Sequence, residues 1–367
     1  MKKKYISLFS PDFDNDEINS VTKTLQSGFW ASGGGTNKVF EFETKFRKFI
    51  GAKDCVAVDS GTAALHLALS VNNIKNKEVL VPSFTFASTV NAILYNGGKP
   101  VFVDIDPITL NMDIDDLQNK ITKDTALILP VYYAGLHASV KKIQKLSKNH
   151  GLQVVSDAAH ACGANFEKKK IGTEFDYVCF SFHPVKNLSM PKGGMIALNG
   201  KNISAIKKKL NSLRWCGISN RKGPFYDIAY LGFNYYMEEI SASVGLSQLK
   251  KLNTMNKKRT RIAKRYFQEL KISNKMPLTK DSCYHLYWIV IKNREKFRKF
   301  MAKKGIDTGI HYPPVHLMSL YKKNHRLPVT EKISKEIVTI PMRSNLDDSS
   351  VDYVIKTANS YFKKFDL

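Results

Sequence analysis

Residues 55–70, CVAVDSGTAALHLALS, decide how the rest of the chain is read. CVAVD (55–59) is a short apolar strand with no polar alternation, which places both of its faces in a core. SGT then turns the chain, and AALHLALS is apolar around its whole circumference, as a helix packed against a sheet is. The same unit recurs outward from this point. VLVP (79–82), PVFVDID (100–106), ALILPVYY (126–133) and LQVVSDAAH (152–160) read as further strands, with a lysine-faced helix over 138–149 between the last two. YVCFSF (177–182) and GGMIAL (193–198) add two more. Buried strands alternating with helices describe an α/β domain with a mostly parallel sheet covered on both faces, over residues 1–245. A helix over 239–255 and a separate, strongly basic helix to about 271 close it. YHLYWIVI (284–291), a helix over 294–304 and KISKEIVTIPM (332–342) then make a smaller α+β domain, 246–367, on which the N-terminal segment can pack.

Bulk properties narrow the function. The 367 residues suffice for two or three domains, and 43% hydrophobic with 11% aromatic residues belong to a globular protein. No run approaches the length needed to span a bilayer. MKKKYISLFSPDFDND turns polar before a signal-peptide core develops, which makes the cytoplasm the default location. The five cysteines are far apart, with no metal-ligand spacing, so neither a disulfide framework nor a metal site is indicated. A net charge of +25 invites a nucleic-acid reading. The excess is almost all lysine, however, spread in short runs, with no arginine between Arg47 and Arg214 and no aromatic-interleaved stripe. No nucleic-acid partner is expected, and the charge favours phosphorylated small ligands.

In open α/β sheets ligands collect at the carboxyl ends of the strands. Three motifs fall there. Asp59-Ser60-Gly61-Thr62-Ala63 opens a helix, where amides and the Thr62 hydroxyl can meet an anion; alone, it reads better as a helix cap. Ser156-Asp157-Ala158-Ala159-His160 puts a carboxylate where it can hold a protonated ring nitrogen, or simply cap a helix. SFHPVKNL (181–188) places the Ser181 hydroxyl and Lys186 on one loop between apolar strands. A lone loop lysine is usually a solvated charge. A lysine, a phosphate cup and a ring-facing carboxylate together are what pyridoxal 5'-phosphate (PLP) requires.

The motifs GFWASGGGTNKVFEFETKFRKFIG (28–51), AVDSGTAALHLAL, VPSFTFASTVNAILYNGGKPVFVDID (81–106), SDAAHACGA, SFHPVKNL, LGFNYYMEEISASVGLSQLKKL (231–252), YHLYWI and GIHYPPVH (309–316) occur in the order of one family. Over nearly its whole length the chain resembles the DegT/DnrJ/EryC1/StrS sugar aminotransferases, PLP enzymes of aspartate-aminotransferase fold type I. The resemblance implies that Lys186 bonds the cofactor's aldehyde and shuttles the proton of the 1,3-shift. Asp157 would pair with the pyridine nitrogen, His160 lie near the ring hydroxyl, and Phe86 stack on the ring. Gly61, Thr62, Ala63 and Ser181 would bind the phosphate, joined by Asn234 from the partner subunit of a homodimer with shared sites. Tyr132, Tyr236, His311, Tyr312 and His316 are the candidate sugar-side residues; for GIHYPPVH a packed turn in the small domain fits the residues as well.

Where the family usually reads tyrosine-arginine-methionine, the chain has Tyr235-Tyr236-Met237, and Lys192 replaces a common glutamate before the glycine pair. Neither departure is expected to touch the three cofactor motifs. Lys186 argues against the branch that replaces this lysine with histidine and dehydrates its substrate. The implied reaction takes an amine from glutamate and gives it to a keto carbon of a nucleotide-linked deoxy sugar, C4 ahead of C3 on the strength of PVYYAG, in surface-polysaccharide or glycan synthesis. The alternative is a family member without catalysis, acting as a regulator or binding protein.

Overall fold

A computed structural model describes residues 5–321 and 325–365. Two helices, α1 (Asn15–Gln26) and α2 (Asn37–Ile50), precede β1 (Asp54–Val58) and α3 (Gly61–Ser70). Next come β2 (Glu78–Pro82), α4 (Ala87–Tyr95), β3 (Lys99–Val103), α5 (Ile114–Asn119), β4 (Thr125–Ile128), α6 (Val140–His150) and β5 (Gln153–Asp157). A small hairpin, β6 (Asn165–Phe166) and β7 (Lys169–Lys170), leads to β8 (Tyr177–Ser181), β9 (Gly194–Leu198) and α7 (Ile203–Arg214). A second hairpin, β10 (Ile218–Lys222) and β11 (Phe225–Ile228), is followed by α8 (Glu239–Glu269) and β12 (Tyr287–Val290). The chain ends in α9 (Arg294–Lys303), α10 (Pro328–Glu336), β13 (Ile337–Ile340) and α11 (Asp348–Lys364).

Seven strands form one sheet in the order β1-β9-β8-β5-β4-β2-β3. β9 runs antiparallel to both β1 and β8, and the remaining neighbours are parallel. Alternate residues of β8 enter different cores. Val178 and Phe180 join Phe42 and Phe46 of α2 on one face, while Tyr177 and Cys179 join Leu65 and Leu69 of α3 on the other. Burial on both faces explains the unbroken apolar strands of the sequence. Each fully buried phenylalanine of this core contributes about 1.5–3 kcal/mol of transfer free energy.

Two expectations change. The strand expected over 126–133 ends at Ile128, because Pro130 cannot donate to a ladder and Ala134 adopts a left-handed φ of 57° in a 3-10 turn. The two helices expected between 239 and 271 are one helix of 31 residues. Nothing between Leu252 and Arg261 breaks it, and its far end, Ile262, Ala263 and Tyr266, enters the core of the C-terminal part. Position 245, the expected domain boundary, therefore lies inside α8. Ile6 bridges Ile306 and is buried in that same C-terminal core, tying the N-terminal segment to it. Among the described residues, no helix is long and apolar enough to cross a membrane.

Candidate active site

The carboxyl ends of β1, β5 and β8 converge on a cavity of about 350 Å³, whose wall includes Gly61, Thr62, Asp157, His160, Ser181 and Lys186. The turn after each strand supplies one part of it.

After β1, Ser60 caps α3: its hydroxyl accepts the Ala63 N–H at 3.1 Å. The cap takes up the Ala63 amide, so the backbone donors left for an anion are those of Gly61 and Thr62, which have no intrahelical acceptor. Ala63, expected among the phosphate ligands, does not line the cavity, whereas Gly61 and Thr62 do. Ser181 faces them from β8. A Cβ on Gly61 would stand 2.7 Å from the Ser181 Cβ, so glycine is what keeps this cup open. The two free amides, a helix N-terminus and two hydroxyls suit a phosphate.

After β5, Asp157 is almost fully buried. Its Oδ2 accepts from Thr89 Oγ1 at 2.8 Å and its Oδ1 from the Ala159 N–H at 3.0 Å. Burial pushes its carboxyl upward; those hydrogen bonds and the nearby Lys186 hold it down. A carboxylate fixed at both oxygens and still lining the cavity suits a protonated ring nitrogen. Thr89 was not singled out in the sequence; its only signal is its place one helical turn after Phe86, in FTFAST.

His160 accepts the Ala134 N–H at Nδ1, 3.3 Å away. Burial drives its pKa well down, so the ring is neutral and, from its partners, carries its proton on Nε2. That proton points to the Tyr312 oxygen at 3.0 Å, which leaves the phenol's own hydrogen free for the cavity. Behind His160, with ring centroids 4.3 Å apart, stands His285, whose Nδ1 lies 3.1 Å from Asn187 Oδ1. The Asn187 amide nitrogen donates to Asn256 and to the Cys283 carbonyl, which leaves its oxygen as acceptor. The residue next to Lys186 is thus fixed by three partners.

Lys186 itself makes no side-chain hydrogen bond or ion pair among the described residues. Its loop is held by Lys186 N–H to the His183 carbonyl at 2.8 Å and by the Ser189 hydroxyl on its own carbonyl at 2.7 Å. Burial lowers its ammonium from 10.5 to about 8, against the pull of Asp157. An amine free of partners and partly deprotonated near neutral pH is a nucleophile and a base.

Phe86, largely exposed, caps α4 at the cavity wall, with its ring 5.9 Å from that of Tyr312. His311 also lines the cavity; its Nδ1 lies 2.8 Å from Thr339 Oγ1, and burial lowers its pKa to about 4. Two expected sugar-side residues lie elsewhere. Tyr132 is buried behind the wall and donates to Glu174 at 2.6 Å. His316 is fully buried, with Nδ1 2.6 Å from Ser83 Oγ, and braces that turn instead of lining the cavity. Asn234 and Tyr236 line an adjoining cleft of about 150 Å³, together with Asp59 and Lys192. Lys192 also lines the main cavity, against the expectation that it stands apart from the cofactor motifs. The glutamate it replaces would put a second carboxylate beside Asp59.

Comparison with known proteins places the chain in a family. The model of the DegT/DnrJ/EryC1/StrS aminotransferase family matches residues 11–359. Spore coat polysaccharide biosynthesis protein SpsC of Bacillus subtilis is 34% identical, over 97% of each chain. Among solved structures, PseC of Helicobacter pylori, an aminotransferase involved in the biosynthesis of pseudoaminic acid, superposes with a TM-score of 0.92 at 28% identity. The match covers 98% of this chain and 100% of PseC. The PLP form of the putative sugar aminotransferase Spr1654 of Streptococcus pneumoniae gives 0.92 at 28% identity, over 98% and 99% of the two chains.

Proposed function

From the premise that the chain belongs to the DegT/DnrJ/EryC1/StrS aminotransferase family and is a PLP-dependent sugar aminotransferase, we propose that it aminates a nucleotide-linked keto sugar with glutamate as donor. The observation that carries the reading is one cavity lined by an unpartnered Lys186, a doubly fixed Asp157 and an open cup at Gly61, Thr62 and Ser181. PLP supplies the electron sink for the carbon that bears the migrating amine. Lys186 would hold the cofactor at its aldehyde end, and its amine is the group placed to move the proton of the amine transfer. Its lowered pKa leaves part of the amine free to take up a proton near neutral pH. Asp157 keeps the ring nitrogen protonated, and Thr89 and Ala159 keep Asp157 in place. His160, neutral, aligns Tyr312, whose hydroxyl is free to donate to an oxygen in the cavity.

The sugar is a deoxy sugar with its keto group at C4 in preference to C3. PVYYAG supports that choice, and since Tyr132 sits behind the wall, any influence on the substrate passes through the neighbouring Val131, which lines the cavity. The resemblance to SpsC supports a place in surface-polysaccharide or glycan synthesis. The working form is a cytoplasmic homodimer with shared sites. The exposed side chains Phe225, Ile228 and Leu231, on and after the second hairpin, give it an apolar surface to cover. The deciding experiment incubates the loaded enzyme with glutamate and a panel of nucleotide-linked 3- and 4-keto sugars. The expected product is an amino sugar, identified by mass and NMR, with one mole of 2-oxoglutarate per mole. Amination of none of the panel, with 2-oxoglutarate still formed once per site, refutes the sugar assignment. Absence of 2-oxoglutarate refutes the donor.

A further inference from the structure

The geometry points to Lys192 as the cation that balances the charge of the cofactor's phosphate, held at the rim of the phosphate cup by Asp59. The inference rests on the cofactor assignment above and adds a residue to it.

A charge inventory of the cavity motivates it. The cup consists of neutral donors: the Gly61 and Thr62 amides and the Thr62 and Ser181 hydroxyls. A phosphate monoester carries about −1.5 to −2 charges at neutral pH. Five basic side chains line the cavity: His160, His183, Lys186, Lys192 and His311. Burial lowers all three imidazoles, so the lysines carry the positive charge. Lys186 is committed to the aldehyde end. Lys192 alone is left for the phosphate end.

Its position follows from the backbone. In β9, Gly194 pairs with Val58 on one side and Ser181 on the other. A Cβ on Gly194 would stand 2.3 Å from the Ser60 carbonyl oxygen. The start of β9 is therefore pressed onto the cup, and Lys192, two residues earlier, emerges beside it. Its ammonium meets Asp59 Oδ2 at 2.5 Å. Asp59 is the residue immediately before the cup, tied down by the Ser60 hydroxyl on its Oδ1 at 3.0 Å and by its own N–H to the Tyr235 carbonyl.

Asp59 alone would be an obstacle, since a carboxylate next to an anion cup repels a phosphate. Lys192 removes that repulsion and supplies attraction. An ammonium has three donors; one serves Asp59, and the side chain keeps 62% of its surface exposed, so the others remain available. Asp59 in turn holds the long side chain near the cup before the phosphate arrives, which reduces the ordering cost of binding.

The test titrates apoprotein with PLP and, separately, with pyridoxal, which has the aldehyde and ring but no phosphate. Lys192→Ala is expected to weaken PLP by about 10- to 100-fold, the range of a charge-assisted contact, and pyridoxal by less than about twofold. Lys192→Arg, which keeps the charge, is expected to stay within a few-fold of the parent for both. Asp59→Asn added to Lys192→Ala is expected to recover most of the lost PLP affinity, because the repulsion goes with the carboxylate. The ³¹P resonance of bound PLP should move in Lys192→Ala. Equal loss for both aldehydes, unchanged PLP affinity, or a further loss on adding Asp59→Asn overturns the proposal. A parent protein that takes up neither aldehyde overturns the cofactor assignment on which it stands.

Discussion

The uptake of PLP by the apoprotein should have a pH midpoint near 8, set by Lys186. The perturbation is pH, and the magnitude comes from the burial of the ammonium, which lowers it from 10.5 to about 8. Only the free amine attacks an aldehyde. At pH 7.5 a lysine with a pKa of about 8 is about one-quarter free amine, whereas at 10.5 the free fraction is about one in a thousand. Burial therefore raises the reactive fraction roughly 200-fold at that pH. Stopped-flow absorbance of PLP binding between pH 6.5 and 10 should show a logarithmic rate rising about one unit per pH unit and levelling above about 8. The phosphate's own ionisation, near 6, lies below this window. Asp157 acts in the opposite sense to burial, since its negative charge favours the ammonium. Asp157→Asn should shift the midpoint downward. A rate still climbing at pH 10, or a midpoint that moves up in Asp157→Asn, refutes the reasoning.

Three further outcomes follow from the packing. Gly61→Ala drives a Cβ to 2.7 Å from the Ser181 Cβ and closes the cup, so purified protein should hold well under one PLP per chain by absorbance while still melting cooperatively. Glu43→Ala leaves the fully buried Arg214 without its carboxylate at 2.7 Å, and urea unfolding should show a loss of about 3–5 kcal/mol; a loss below about 1 kcal/mol would mean that water reaches the guanidinium. His316→Ala should lower stability by about 1–3 kcal/mol, because the Ser83 hydroxyl loses its buried partner, and should leave the KM for the sugar unchanged. A raised KM for the sugar would return His316 to the substrate wall.

Much of this site was legible because its chemistry is local in the chain. Strand, turn and helix fall within CVAVDSGTAALHLAL, and the strand end carries Asp157 in VVSDAAH, so period and residue type place both near the sheet's carboxyl edge. Lys186 could be selected among many lysines because its loop runs between two apolar strands. What stayed hidden was lateral. Thr89 reaches Asp157 across 68 positions, and Lys192 reaches Asp59 across 133. Tyr132 and His316 looked like substrate contacts because PVYYAG and GIHYPPVH resemble family motifs. The direction of each side chain is set by neighbours such as Glu174 and Ser83, far away in sequence.

By itself, then, the sequence determined the strand–helix alternation, the order of the sheet-end motifs and the kind of chemistry their residue types allow, because these depend on neighbours within about ten positions. Tertiary structure alone decided that α8 is one helix crossing the expected boundary, that Ala63 gives its amide to a cap, and that Lys192 stands beside the cup. It also decided that the Lys186 ammonium is desolvated to about 8, since desolvation is a property of everything packed around a group and no pattern along the chain records it.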